Sequence, residues 1–264
     1  MSGMKRPPLT RSAMSRVLLT LERPAAWPAD LQTYLETRHQ LFLGRETGTG
    51  RVPAALYDQA IRGLMHALQP YAIRGWHCTR LTDAEINEIQ RNGMQLPNAA
   101  MLTRRIKSLV EECQLDSDSA QQLIAKNQAD DANRANMLSF CFFTPGRAGE
   151  GGIGRFFRYW GGEALYNSHQ DDPVMSSVIG RIGTPCIVEA EVPIALLKSS
   201  DGLALKVVRR FLKSRGHRTT EPVDHVDRIN RPLPADCIRR VIRFPDSQFV
   251  SLTGCGGWRS PLER

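Results

Sequence analysis

Residues Gly75 to Leu81 read GWHCTRL, and this stretch decides the fold predicted for the chain. Trp76 and Cys78 alternate with His77 and Thr79, which is typical of a strand with one packed face and one polar face. His77 lies on the polar face. It is either a core histidine with a satisfied hydrogen bond or the first residue of a binding cleft. The strand alone leaves both interpretations open.

A helix signal follows this strand immediately. Thr82 or Asp83 can cap the helix, and Glu85 stands where a capping box has its acid. Gly93 is the predicted end of the helix, since glycine commonly ends helices. The sequence therefore predicts a strand that leads directly into a helix over residues 83–92.

The composition is that of a globular chain with a basic surface. The 264 residues are 23% charged and 41% hydrophobic, and the formal net charge is +8. This length fits one large domain, or one domain with a helical extension. The positive charge favours a polyanionic partner, either nucleic acid or a phosphate-rich small molecule, although solvated faces also account for it.

Cysteine usage and hydropathy bear on the compartment. The six cysteines form no CxxC pair and no zinc-type spacing with histidine, so we expect a reducing compartment without disulfides. No apolar run reaches the roughly 18 residues of a membrane span. Lys5 and Arg6 precede no apolar stretch, which argues against a secretory signal peptide. We expect a cytoplasmic protein, or one delivered to a target cell without a cleavable signal peptide.

The chain divides into two predicted parts. Residues 1–72 form a basic arm and a helical extension, with helices over residues 30–42 and 54–68. A short strand within residues 15–21 is also consistent with the apolar run there.

Residues 73–264 form the second part, which carries a helical insert over residues 96–128. Residues 203–212 predict a basic helix, and residues 216–234 a polar loop. The possible metal ligands in that loop are His217, Asp224, His225 and Asp227. Their spacing fits no strong metal signature, so no metal is expected.

Residues 137–144 read MLSFCFFT and predict a strand buried on both faces, ended by Pro145. A glycine-rich segment follows over residues 146–154. Such a segment can cradle phosphate with backbone N–H groups, or it is a mobile loop. It lacks the Gly-Lys-Ser/Thr end of a P-loop.

Residues 155–167 read RFFRYWGGEALYN. On a continuous helix, Tyr159, Glu163 and Tyr166 would share one face. Two glycines weaken that helix, so the alternative is a helix that begins at Gly162, with Tyr159 on the loop before it. The segment is either a site carrying exposed aromatic side chains or an aromatic packing stripe.

Two further stretches predict strands towards the C-terminus. Residues 184–193 read TPCIVEAEVP and alternate as a strand with one buried face, which places Glu189 and Glu191 together on the other face. The acid pair suits general acid–base chemistry, or it simply faces solvent. Residues 237–244 and 246–252 predict the last two strands, and Gln248 lies on the second.

The order of these segments resembles the ADP-ribosyltransferase superfamily, on the branch of diphtheria toxin and the poly-ADP-ribose polymerases. That branch uses a His–Tyr–Glu set to hold NAD. The resemblance covers residues 73–253 and rests on five segments in order. They are His77-Cys78-Thr79, Phe142 or Phe143, Glu163-Ala164-Leu165-Tyr166, the strand CIVEAEV, and Gln248-Phe249-Val250.

The chain departs from the family pattern at three residues and in its long insert. Cys78 replaces the glycine usual after the histidine, phenylalanine replaces a common tyrosine, and Gln248 replaces the glutamate. A glutamine can hydrogen-bond a ribose hydroxyl but cannot take a proton, which favours a single transfer over chain elongation. The remaining candidate bases are Glu163, Glu189, Glu191 and a group of the acceptor.

The resemblance implies an α+β fold with a split, mostly antiparallel sheet. It implies NAD as a substrate and transfer of one ADP-ribose to a macromolecule, either protein or nucleic acid, by a bacterial toxin, effector or phage-defence enzyme. The implied catalytic residues are His77, Glu163, Tyr166 and Gln248. The implied NAD-binding residues are His77, Cys78, Thr79, Arg80, Phe142, Phe143, Arg155, Arg158, Tyr159 and Tyr166.

Each of these roles follows from the chemistry of NAD. Tyr166, or its competitor Tyr159, would stack on nicotinamide. His77 would hydrogen-bond a ribose hydroxyl, and arginines would hold the pyrophosphate by their fork geometry.

Two other functions fit parts of the sequence. An RNA 2′-phosphotransferase would share the fold group and would account for the basic charge, but its second histidine and paired arginines are not found at matching positions. A non-catalytic nucleic-acid-binding module would need the basic residues on one face and no NAD cleft.

Overall fold

The computed structural model describes residues 16–133 and 135–262. Within them the chain is an α+β protein, with eleven α-helices around a six-stranded, mostly antiparallel open sheet. The strands are β1 (Leu18–Leu19), β2 (Ala72–Leu81), β3 (Leu138–Cys141), β4 (Thr184–Pro193), β5 (Val226–Ile229) and β6 (Ile238–Arg243). The helices are α1 (Ala29–Glu36), α2 (His39–Glu46), α3 (Ala54–Leu68), α4 (Asp83–Asn92), α5 (Ala99–Glu111), α6 (Ser117–Ala125), α7 (Gly149–Arg158), α8 (Glu163–His169), α9 (Pro173–Arg181), α10 (Ser200–Ser214) and α11 (Ser247–Thr253). None of these helices is long and apolar enough to cross a bilayer.

The sheet is built on β2, which lies between β3 and β4 in the order β5-β3-β2-β4-β6. All ten residues of β2 pair with β4 in antiparallel register. On its other side, β2 pairs in parallel with β1 at its start and with β3 through one residue pair, Trp76 and Cys141. The sheet therefore splits between β2 and β3 beyond Trp76.

The N-terminal helices pack into the same core as the sheet. Leu31, Leu35 and Phe42 from α1 and α2 are buried in one cluster with Leu64 of α3 and Phe211 of α10. The helix predicted over residues 54–68 is α3, and its Tyr57, Ile61, Leu64 and Leu68 are buried. The predicted boundary between residues 72 and 73 therefore divides a single hydrophobic core, because apolar side chains from both sides of the boundary pack against one another.

The N-terminal predictions are confirmed in part. The strand predicted within residues 15–21 is β1, and the start of the predicted arm, residues 1–15, lies outside the described residues. The single helix predicted over residues 30–42 is wrong, because α1 ends at Glu36 and α2 begins at His39. Arg38 between them has a non-helical backbone (φ −114°, ψ 10°), which breaks the helix.

The helix after β2 forms as its capping signals predict. The Thr82 side chain accepts a hydrogen bond from the Glu85 amide, and the Glu85 carboxylate accepts one from the Thr82 amide. Gly93 ends α4 with a left-handed φ of 75°. A Cβ there would lie 2.1 Å from the Leu233 carbonyl oxygen, so the close approach also requires glycine. The helical insert (α5 and α6) and the basic helix α10 also match their predictions.

Three predictions about strands and loops are wrong. Residues 149–158 form helix α7, not a glycine-rich loop, and its apolar face buries Ile153 and Phe157. The strand predicted over residues 137–144 is the shorter β3, whose Ser139 is exposed, so only one face is buried. Strand β4 is buried on both faces, because Ile187 and Val188 are each 0% exposed.

The strand predicted over residues 246–252 is also wrong, because these residues form helix α11 after Asp246. Phe249 and Thr253 are buried one helical turn apart, and the Thr253 hydroxyl donates to the Phe249 carbonyl oxygen at 2.8 Å. Helical spacing of the buried side chains therefore overrides the apparent alternation.

Candidate active site

A cavity of about 1060 Å³ occupies the split between β2 and β3, and helices α4 and α5 line its wall. The polar residues that line the cavity include His77, Thr79, Glu85, Arg105, Ser139 and Glu163. Apolar side chains, among them Ile153 and Phe156, contribute the remaining wall. The cavity is large enough for a ligand of cofactor size, since such sites typically hold about 300–1,000 Å³.

The edge of β2 borders this cavity. The Ala72 amide donates to the Val17 carbonyl oxygen on the β1 side, whereas the Tyr71 carbonyl oxygen accepts from Ile194 on the β4 side. Peptide groups alternate between the two edges of a strand, so the peptide groups of Cys78 face the split. No strand of the described chain pairs with β2 there, so Cys78 presents a donor and an acceptor to a ligand.

His77 is half-buried at the point where the two strands separate. Its Nδ1 lies 2.9 Å from the Ser139 carbonyl oxygen, and its ring lies 5.9 Å from that of Phe140. A carbonyl oxygen can only accept, so Nδ1 carries the proton and neutral His77 keeps Nε2 as an acceptor.

The charge state of His77 follows from its surroundings. Burial lowers the pKa of His77, the Ser139 carbonyl opposes this, and the positive charge of Arg105 lowers the pKa further. The ring is therefore neutral at neutral pH. A neutral imidazole with its proton on Nδ1 can accept a hydrogen bond from a hydroxyl group at Nε2.

Glu163 is the first residue of α8 and lines the cavity. Gly161 and Gly162 precede it with φ angles of 79° and 61°, so the chain turns sharply before the helix. This confirms the alternative in which the helix starts after Gly162 and Tyr159 precedes it. The Glu163 carboxylate forms an ion pair with Arg155 at 2.8 Å.

Glu85 and Arg105 form a second polar group in the cavity wall. Glu85 accepts hydrogen bonds from Arg105 Nε at 2.5 Å and from Trp160 Nε1 at 3.0 Å. Burial acts to raise the pKa of Glu85, but the Arg105 charge and these hydrogen bonds hold the pKa below its usual value. Glu85 is therefore ionised.

Several residues predicted to bind NAD lie elsewhere. Arg80 is buried and donates to the carbonyl oxygens of Ile182 at 2.7 Å and Phe157 at 3.1 Å. Arg158 donates to Glu150 and to the Ser260 carbonyl oxygen. Both arginines bind backbone carbonyl oxygens or carboxylates within the fold. Neither lines the cavity.

The predicted aromatic residues divide in the same way. Phe143 lines the cavity, whereas Phe142 stacks on His225 with ring centroids 5.6 Å apart. Tyr159 and Tyr166 stack on each other at 4.8 Å, and neither lines the cavity. The structure thus brings His77, Cys78, Thr79, Phe143 and Glu163 together and leaves the tyrosines outside.

The polar residues predicted on the last strands also lie outside the cavity. Gln248 is exposed on α11 and does not reach the split. Glu189 is 1% exposed and forms ion pairs with Arg74 and Arg240, so the solvent-facing alternative is wrong for Glu189. Arg239 pairs with both Glu189 and Glu191, so the two carboxylates share one face as predicted. Arginines on neighbouring strands neutralise Glu189, which is how a buried carboxylate is tolerated.

The polar loop predicted over residues 216–234 is interrupted by β5, and within the described residues it holds no cluster suited to a metal. His217 lies against His39, with 3.1 Å between their Nε2 atoms. His225 lies 3.7 Å from Asp227. Asp224 is paired with Arg210 at 2.8 Å, so the four possible ligands do not come together.

Ser139, Arg105 and Trp160 belong to the site although no sequence motif pointed to them. Ser139 is the one polar residue inside an aromatic run, and that polarity was the available signal. Arg105 lies on the polar side of α5, where a solvated charge is the ordinary interpretation. Its role depends on Trp160, 55 residues further along the chain, which no local pattern reveals.

Comparisons of the chain with protein-family models, with curated proteins and with solved structures gave no match.

Proposed function

We propose that the chain is an NAD-dependent mono-ADP-ribosyltransferase with a split sheet of the ADP-ribosyltransferase type, and that NAD binds in the split between β2 and β3. The observation that carries this proposal is the position of His77. It lies where the strands separate, and its bond to the Ser139 carbonyl leaves Nε2 as an acceptor beside a large cavity.

The nicotinamide end of NAD suits the open edge of β2. A carboxamide carries one acceptor oxygen and an N–H donor, which complement the N–H and C=O of Cys78. Phe143 and Phe156 supply apolar surface for the ring. A hydroxyl of the adjoining ribose then donates to His77 Nε2.

The reaction breaks the bond between the ribose C1′ atom and the nicotinamide nitrogen. The bonding electron pair goes to nicotinamide, which leaves as a neutral molecule, and the ribose passes through an oxocarbenium-like transition state. A nucleophilic oxygen or nitrogen of the acceptor then bonds to C1′ and loses its proton. Nicotinamide is a good leaving group because it departs from a cation, so the site needs positioning more than acid catalysis.

Glu163 takes the role that the sequence assigned to Gln248. Glu163 lines the cavity, and its carboxylate can stabilise the positive charge on the ribose, as carboxylates do in glycoside hydrolysis. It can also accept the proton of the nucleophile. Its ion pair with Arg155 holds the side chain at the first turn of α8.

The acceptor class is tested with NAD labelled in its adenylate phosphate. The protein is incubated with labelled NAD and cell lysate, and samples are then treated with protease or with nuclease. Label that survives nuclease but not protease identifies a protein acceptor, and the reverse identifies nucleic acid. Absence of labelled product with protein, DNA and RNA fractions would contradict the proposal.

The same assay distinguishes the proposed transferase from the alternative function, an RNA 2′-phosphotransferase. Consumption of NAD only when an RNA with an internal 2′-phosphate is supplied would indicate an RNA 2′-phosphotransferase. A Glu163→Gln variant serves as the inactive control, since it keeps the size and hydrogen-bonding capacity of the side chain without its charge.

A further inference from the structure

Arg105 is held in the cavity wall by two contacts. Its Nε donates to Glu85 at 2.5 Å, and its guanidinium carbon lies 4.6 Å from the ring centroid of Trp160. Trp160 is 0% exposed and donates its own Nε1 to Glu85. An arginine fixed at its inner nitrogen and on one face loses little further freedom when it binds a ligand.

The outer edge of the same guanidinium is available to a ligand. Among the described residues, the terminal nitrogens of Arg105 make no ion pair or hydrogen bond. The side chain is 22% exposed and lines the cavity that contains His77. The charge of Arg105 also reaches His77, whose pKa it lowers. The terminal nitrogens of Arg105 are therefore available to a ligand in the cavity that His77 also lines.

The other arginines expected to hold the pyrophosphate are already occupied. The guanidinium of Arg80 is bound to backbone carbonyl oxygens, Arg155 is paired with Glu163, and Arg158 with Glu150. Two further arginines line the cavity: Arg228 donates to the Asn133 carbonyl oxygen of a neighbouring segment, and Arg91 donates its Nε to the Asn87 carbonyl oxygen within its own helix. Arg105 combines a fixed position with an open edge.

We propose that Arg105 binds the diphosphate of the nucleotide substrate, with its terminal nitrogens donating to two phosphate oxygens. Two parallel N–H donors match two oxygens of a phosphate group, a stronger arrangement than a single ammonium contact. Glu85 and Trp160 are positioning residues, because they act on the ligand through the guanidinium that they orient. The identity of the ligand as NAD rests on the proposed function, whereas its diphosphate chemistry rests on Arg105.

The alternative is that the Arg105–Glu85 pair only ties α4 to α5. The two possibilities predict different measurements. A purely structural pair changes the unfolding temperature and leaves ligand affinity unchanged once the protein is folded. A phosphate-binding arginine changes affinity for phosphorylated ligands alone.

Isothermal titration calorimetry with ADP, adenosine and nicotinamide tests the proposal. The variants are Arg105→Gln, Arg105→Lys and, as a control, Lys107→Gln, which removes an exposed charge from the same helix outside the cavity lining. We expect Arg105→Gln to weaken ADP binding by about 10- to 100-fold, with adenosine and nicotinamide unchanged within about twofold. Lys107→Gln should bind all three like the native protein.

Arg105→Lys keeps the test valid if Arg105→Gln does not fold. It retains the charge but loses the fork, so we expect ADP binding intermediate between those of the native protein and the glutamine variant. Native ADP affinity in either folded Arg105 variant would overturn the proposal. Failure of the native protein to bind ADP at millimolar concentration would also overturn it.

Failure of this inference and failure of the proposed function give different results. If ADP binding depends on Arg105 but labelled NAD gives no product, the diphosphate site stands and the transferase does not. If labelled NAD is transferred but ADP binding ignores Arg105, the transferase stands and the diphosphate is held elsewhere.

Discussion

At the scale of single residues, the proposed function requires a carboxylate or an amide beside the ribose of NAD. Glu163 lines the cavity, whereas Gln248 is exposed on α11. The sequence order favoured Gln248 because a polar residue precedes Phe-Val there, but that segment is helical. Substitutions at positions 163 and 248 therefore test which of the two residues is needed for the reaction.

We expect Glu163→Gln to reduce nicotinamide release from NAD by about 10²-fold, because the proposed mechanism uses this charge to stabilise the transition state. Gln248→Ala should release nicotinamide at the native rate. Both rates are measured by chromatography of the free base. A silent Glu163→Gln beside a defective Gln248→Ala would move the catalytic polar residue to α11.

The protonation of His77 predicts a dependence of stability on pH. Since burial lowers the pKa of His77 in the folded protein, the unfolded state binds the proton more readily. His77 therefore costs no stability above its unfolded pKa, about 6.5. Its unfavourable contribution grows as pH falls from there towards the folded pKa.

Urea unfolding at pH 7.5 and pH 5.5 checks this prediction. We expect the native protein to lose more free energy of unfolding between these pH values than a His77→Gln variant does. Equal losses in the two proteins would indicate that His77 has the same pKa in both states.

At the scale of elements, the junction between β2 and α4 sets the position of the cavity. The reciprocal bonds of Thr82 and Glu85 begin the helix, and Gly93 ends it against the strand bridge at Met94 and Leu233. Glu85 has a double role, because the same carboxylate caps α4 and orients Arg105.

Gly93→Ala should destabilise the protein by at least about 2 kcal/mol, since it combines a left-handed φ with a Cβ only 2.1 Å from the Leu233 carbonyl oxygen. Gly149→Ala is the matched control. Gly149 also has a positive φ, of 60°, but a Cβ there meets nothing within 4 Å, so we expect about 1 kcal/mol. The free energy of unfolding of both variants is measured in urea. Equal losses in the two variants would show that the contact between the new Cβ at position 93 and the Leu233 carbonyl oxygen relaxes.

At the scale of the whole molecule, the N-terminal extension is part of the core. Leu35 and Phe42 are each 0% exposed and pack in the cluster that includes β2 and α10. Strand β1 also pairs with one edge of β2 at Ala72 and Ile73, and β3 pairs with the same edge further along, at Trp76. The extension thus supports the strand that carries His77.

A chain of residues 73–264 alone should therefore lack a cooperative thermal transition by circular dichroism, because it exposes the apolar surface that α1, α2 and α3 cover. The full chain should unfold in one main transition. Cooperative unfolding of the shorter chain would support the boundary predicted at residues 72 and 73.

The sequence predicted features that short segments determine. The alternation in GWHCTRL and the Thr82–Glu85 capping pair each lie within a few residues, and both β2 and α4 form as expected. The α11 segment was misjudged, because seven residues can show both alternation and the Phe249–Thr253 helical spacing. The Tyr159–Tyr166 stack and the Arg105–Trp160 contact join side chains whose meeting depends on tertiary packing.

The central claim is that His77 holds the ribose of NAD in the split between β2 and β3. Nicotinamide release from NAD by the native protein, by His77→Ala and by His217→Ala tests it most directly. His217 is a half-buried histidine outside the cavity, so its variant controls for loss of an imidazole. We predict a loss of about 10²-fold or more for His77→Ala and a native rate for His217→Ala. A folded His77→Ala variant that releases nicotinamide at the native rate would contradict the account.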